Sequence, residues 1–99
     1  MKTLTDIKRR IQFGIVLTLV ENTKRPELNG QARRVTHTQG NAFTWRLVGA
    51  PETEARSWTY YAPAKTVRII DADTFSMALT DAWGHVTTDS VTLRFTGEV

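Results

Sequence analysis

The sequence predicts a mainly β domain, and three observations carry that expectation. Apolar and polar residues alternate in Phe75-Ser76-Met77-Ala78-Leu79-Thr80 and again in Val91-Thr92-Leu93-Arg94-Phe95-Thr96, the period of pleated strands with one buried and one wet face. Turn-forming clusters separate such segments, as at Asn29-Gly30, Gly40-Asn41 and Asp71-Ala72-Asp73-Thr74. The only helical spacing lies at the N-terminus. Six or seven short strands and one short helix in 99 residues predict a small, strongly bent antiparallel barrel, SH3-like or OB-like. An open sheet packed by the helix is the second architecture.

Residues 3–11 predict the helix. Thr3 or Thr5 can cap it, Asp6 suits its first turn, and Arg9 and Arg10 suit its C-terminal end. Leu4, Ile7 and Ile11 form one apolar stripe, and a helix this short must lay that stripe on the sheet or plug a barrel end. Gly14 ends the helical region. Residues 15–20 are apolar on both faces and predict a central or helix-covered strand. Residues 21–30, with Pro26 and Asn29-Gly30, form a loop closing in a tight turn.

Residues 31–39 and 42–48 make a hairpin about Gly40-Asn41. Residues 49–56, with Pro51 and two glutamates, form an exposed loop. Residues 57–62 are a strand stopped by Pro63, and residues 67–71 and 75–80 form a second hairpin. After the turn Asp81-Ala82-Trp83-Gly84, residues 85–96 form a last strand or pair of strands. Their alternation slips between Val86/Thr88 and Val91/Leu93/Phe95, which a bulge or extra turn near Asp89-Ser90 repairs. The expected organisation is one domain over residues 1–99, with residues 1–12 as the N-terminal helix and 13–99 as the barrel.

Cysteine is absent, which excludes disulfides, thiolate metal sites and a cysteine nucleophile. No apolar run approaches the roughly 20 residues that cross a bilayer. Arg9 and Arg10 interrupt the signal-like start, and residues 13–20 lack a small-residue cleavage site, so the expected location is cytoplasmic, with no membrane partner. The net charge of +3 is unevenly placed: residues 1–50 carry nine Lys/Arg against Asp6, Glu21 and Glu27, and the remainder carries four against seven acids. One basic and one acidic surface would suit a polyanion or an acidic protein patch.

The residues offer no catalytic kit. His37 and His85 fall in different strands without ligand spacing, and Asp71-x-Asp73 is a hairpin turn before it is a cation site. Ser57, Ser76 and Ser90 lack a nucleophile-elbow context, and no glycine-rich phosphate loop is present. The expectation is a non-enzyme with no cofactor and no metal.

The basic and aromatic residues carry the functional lead. Arg33 and Arg34 precede Val35, Trp45 and Arg46 lie in the next strand, and Trp58, Tyr60 and Tyr61 in the one beyond. Bases stack on such rings and arginines hold phosphates. A small barrel also uses Phe43, Trp45, Leu47, Trp58 and Tyr60 as core, which turns Thr44, Arg46, Thr59 and Tyr61 outward. Trp83, in a turn, either folds back on the barrel mouth or offers a partner an exposed anchor. The candidate binding surface is therefore Arg33, Arg34, Trp45, Arg46, Trp58, Tyr61 and Trp83.

Arg34-Val35, Gln39-x-Asn41-Ala42-Phe43, Ser57-Trp58 and Pro63-x-Lys65 together resemble a loose group of uncharacterised small proteins encoded on bacteriophages, prophages and plasmids. The likeness covers roughly the middle third of the chain and transfers no functional residues. It implies a bacterial mobile-element setting, where small cysteine-free proteins inhibit host defences or handle nucleic acid. The first expectation is a non-catalytic binding protein that inhibits or adapts a host protein or protein–nucleic-acid complex, such as a CRISPR-type defence system. The alternative is a single-stranded nucleic-acid binder using the basic and aromatic surface. Either acts in the bacterial cytoplasm as a monomer or homodimer.

Overall fold

The computed structural model describes residues 2–54 and 57–97. Helix α1 (Leu4–Arg10) starts from a reciprocal cap at Thr3: the Asp6 N–H donates to the Thr3 hydroxyl at 3.3 Å, and the Thr3 N–H donates to the Asp6 carboxylate at 3.1 Å. Two otherwise orphaned donors are thereby satisfied. The Lys2 N–H also donates to Asp6, at 2.9 Å. Ile7 and Ile11 are buried on the side that meets the sheet.

Seven strands follow: β1 (Val16–Asn22), β2 (Ala32–Gln39), β3 (Ala42–Leu47), β4 (Trp58–Tyr60), β5 (Arg68–Ile69), β6 (Thr74–Thr80) and β7 (Val86–Gly97). They form one antiparallel sheet in the order β4-β3-β2-β1-β7-β6-β5. The first four strands step outward from the centre to one edge. Residues 61–67 cross to the other edge, and the last three strands step back until β7 lies beside β1.

The expected barrel is not formed: the sheet is neither closed nor strongly curled, and β4 and β5 are its two free edges. Closure requires edge strands that can pair with each other. Here the edges are only three and two residues long, and Pro63 follows β4 closely. The open sheet packed by the helix is the architecture observed.

One face of that sheet is covered. Ile7 of α1 and Ile11, its C-cap, share one core with Leu17, Leu19, Val35, Phe43, Phe75, Met77, Leu93 and Phe95, and the crossing segment adds Tyr61 and Val67 to it. The opposite face is wet. The slip expected near Asp89-Ser90 is present: Ala78 pairs with Ser90 and Thr80 with Val86, so residues 87–89 stand opposite Leu79 alone. Among the described residues, no helix is long and apolar enough to cross a membrane.

Candidate functional site

Pairing register decides which side chains share the wet face. Tyr60, Ala42 and Gln39 lie abreast on β4, β3 and β2. Next along the strands come Trp58, Thr44 and His37, and then Arg46 and Arg34, with Val16 beside Arg34 on β1. Successive rows are two residues apart, about 6.7 Å.

A one-residue bulge builds this arrangement. His37 pairs with Thr44 but Val35 pairs with Trp45, leaving Thr36 unmatched in β2. Continuing the outer register without the extra residue would set Val35 opposite Arg46 on the wet face and turn Arg34 into the core. The bulge reverses that parity, so Val35 is buried and Arg34 stands directly across from Arg46. The bulge is held from the wet side. Thr44 is fully buried, its hydroxyl 2.8 Å from that of Thr36 and 3.4 Å from His37 Nδ1.

Like charges directly opposite in a sheet are destabilising, and among the described residues neither arginine has a carboxylate within ion-pair distance. Arg34 Nη1 donates to the Gly14 carbonyl at 2.8 Å, whereas the buried Arg46 Nε has no hydrogen-bond partner. Both arginines line a groove of about 470 Å³, together with Phe13, Thr36, His37, Val48 and Glu52. Phe13 is 71% exposed, Trp58 41% and Tyr60 57%.

The seven residues marked by the sequence divide between the two faces. Arg34, Arg46 and Trp58 share the wet face. Arg33, Trp45 and Tyr61 are on the covered one: the Arg33 guanidinium lies 5.6 Å from the Trp45 ring, Trp45 meets Phe43 edge-on at 5.4 Å, and Phe43 meets Tyr61 at 5.5 Å. Lys8 of α1 lies 5.9 Å above the Tyr61 ring. Burial pushes the Tyr61 phenol well above its ordinary value of 10.0.

The expectation that Trp58 and Tyr60 are core while Thr59 and Tyr61 face outward is thus inverted. Phe43 pairs with Thr59, so Thr59 and Tyr61 share its side, and an exposed Arg46–Tyr61 pair does not exist. Trp83 does not fold back: it is 82% exposed, at a turn where the Asp81 carboxylate accepts the Trp83 and His85 N–H groups, each at 2.9 Å.

Residues outside the predicted set complete the site. Tyr60, His37, Thr36 and Phe13 belong to it, and Gln39 and Asn41 border it at the hairpin end. The signal available for them was the small side of β3: Ala42 and Thr44 alternate with Phe43 and Trp45, and small residues leave room for large neighbours on their own face. Comparison with protein-family models, curated proteins and solved structures finds no match.

Proposed function

We propose that this is a non-catalytic protein that binds single-stranded nucleic acid on the wet face of its sheet, across β4, β3 and β2. The observation that carries the reading is the Arg34–Arg46 pair, two like charges directly opposite in the β2–β3 register with no ion-pair partner among the described residues. A phosphodiester relieves that repulsion and supplies acceptors for both groups. One row away stands the Trp58 ring, and Tyr60 follows one row further. Rings in that position stack unpaired bases, which a duplex keeps hidden.

Fluorescence-anisotropy titration of labelled single- and double-stranded oligonucleotides, at low and moderate salt, tests the reading. The expected result is saturable binding that favours single strands and falls with salt. Each phosphate deprived of its arginine makes the logarithmic salt slope shallower by about 0.7. Absence of binding by the folded protein, or binding indifferent to salt, overturns it.

A second reading has its own observation. Trp83, fully presented on a turn braced by Asp81, is the kind of anchor that dominates protein interfaces. It supports docking on a host protein or protein–nucleic-acid complex, with the protein acting as a mobile-element inhibitor or adaptor in the bacterial cytoplasm. Trp83→Ala separates the two: it weakens capture of a host complex under the second reading and leaves oligonucleotide affinity unchanged under the first.

A further inference from the structure

We infer that a single strand crosses the wet face from β4 to the far side of β2, with Phe13 as a second stacking ring for one of its bases. The inference rests on the single-strand reading above and specifies the path and the span that site requires of its ligand. Phe13 precedes β1 in a segment that runs beside β2. The Gly14 N–H donates to the Val35 carbonyl at 2.8 Å, and the Ile15 carbonyl accepts the Val35 N–H at 2.9 Å. Gly14 takes the left-handed region, at φ 91°, a conformation that costs glycine little. The segment so placed brings Phe13 to the groove that it lines with Arg34, Thr36, His37 and Arg46.

The core does not use this ring. Phe13 is mostly exposed and is neither in the buried core nor among the partly buried residues packed against it. Ring and charge are nonetheless held together. Arg34 Nη1 donates to the carbonyl of Gly14, the residue next to Phe13, at 2.8 Å. The groove also bears the Glu52 carboxylate. A groove of both signs suits one phosphate at the arginines with a neutral base beside it, and disfavours a row of phosphates.

Trp58 is the ring at the other end of the path. It stands on β4 in the row of Thr44 and His37, and Phe13 lies beyond β2, three strand spacings away, or about 14 Å. Arg46 and Arg34 occupy the neighbouring row on the two strands between them. A stacked strand advances only about 3.4 Å per nucleotide, so adjacent stacked bases cannot cover both rings. The occupant is therefore a splayed strand several nucleotides long, passing the exposed His37. Stacking accepts any base face, so these rings set a path and a length without selecting a sequence.

An oligo-dT octamer, within the usual length of a single-strand site, provides the test in two arms. The first measures its affinity by anisotropy for the wild type, Phe13→Ala, Phe13→Trp and Trp58→Ala. Phe13→Ala is expected to weaken binding by about tenfold with the salt slope and the urea midpoint unchanged, because no phosphate contact and no core contact is removed. Phe13→Trp is expected to restore it. The second arm places 5-iodouracil at each position of the octamer in turn and maps the photocrosslinks. Adducts at Trp58 and Phe13 are expected from positions separated by at least one nucleotide. An octamer that depends on Trp58 but binds Phe13→Ala as it binds the wild type overturns the path and leaves the single-strand reading standing. Adducts to both rings from one position do the same. An octamer that does not bind the folded wild type overturns both.

Discussion

Two pairs of arginines, one in each wing of the sheet, are in different circumstances. In the β7-β6-β5 wing, Arg94 Nε donates to the Thr74 hydroxyl at 3.1 Å and its Nη2 lies 3.9 Å from Asp71. On the covered side of that wing, Arg10 of α1 reaches Asp73 at 3.1 Å and the Ala72 carbonyl at 2.8 Å, its guanidinium 4.0 Å from the Phe95 ring. Those guanidinium groups tie the β5–β6 turn to the body of the protein. In the β4-β3-β2 wing, Arg34 and Arg46 stand opposite each other in the register, and neither has an ion-pair partner among the described residues. The contrast follows from topology. Because one meander fills one side of the sheet and the second meander the other, the charge asymmetry along the chain becomes a gradient across the sheet. Arg94 and Arg10 are engaged by structure, whereas Arg46, like Arg68 on β5, has no hydrogen-bond or ion-pair partner among the described residues and keeps its capacity for an anion.

The contrast is one of charge alone if the wings are equivalent in the core. Phe43 on β3 and Phe75 on β6 are both fully buried in one continuous core. Phe43→Ala and Phe75→Ala are expected to cost similar amounts, about 3–5 kcal/mol each, measured by urea unfolding. A cost confined to one wing would show that the wings differ in packing as well as in charge. The next largest effect is on binding. Arg46→Ala is expected to weaken a single-stranded oligonucleotide by about tenfold or more, while Arg94→Ala, whose partners lie within the protein, changes affinity by less than about twofold. Equal losses at the two positions would remove the distinction.

Reversing one charge sharpens the same comparison with the opposite sign. Arg46→Glu places a carboxylate across from Arg34 and converts a repulsive cross-strand pair into an attractive one. Stability is expected to rise by about 0.2–1 kcal/mol, read from the urea midpoint, while oligonucleotide binding is lost. A variant that gains stability and loses binding together shows that the native pair is kept for a ligand. A destabilised variant would instead mean that the aliphatic stem of Arg46 packs to a greater benefit than its charge costs.

Much of this fold is readable in the chain, and particular residues show where reading stops. Alternation locates the strands, the Thr3 cap and the Ile7/Ile11 stripe locate the helix, and the slip near Asp89-Ser90 marks the register shift. Alternation says which residues share a face, never which face is covered, and the expected orientation of Trp58, Tyr60 and Tyr61 is therefore the reverse of the observed one. Closure is equally out of reach, because it depends on how short β4 and β5 become. At the site, Arg34, Arg46 and Trp58 are each marked by the sequence. Their convergence depends on the single extra residue at Thr36, and Val35-Thr36-His37 gives no local sign of a bulge. Asn41 reads as an ordinary turn residue because its partners, Lys8 of α1 and the Tyr61 N–H at the end of β4, are distant in sequence.

The smallest expected effect separates the wings by pH. Asp71, in the β5–β6 turn, is held below its ordinary 3.8 chiefly by the Asp73 N–H, with help from Thr74 and Arg94. A carboxylate with a depressed folded value contributes stability above its unfolded value and loses that contribution as the pH falls through the folded one. Acid below about pH 4 therefore loosens the β7-β6-β5 wing. Tyr61, beneath the other wing, is raised by burial. A phenol with a raised folded value gives its full stability below the unfolded value and loses it as the pH climbs toward the folded one, so alkali above about pH 10 loosens the β4-β3-β2 wing. Amide resonances of Asp73 and Phe43, followed by two-dimensional NMR from acid to alkali, are expected to depart from their native positions at opposite ends of the scale. Tyr61→Phe should abolish the alkaline departure while leaving the acid one, because it removes the ionisable phenol and keeps the ring on Phe43. Simultaneous loss of both resonances at either end would mean that the sheet unfolds as one unit before either wing can respond alone.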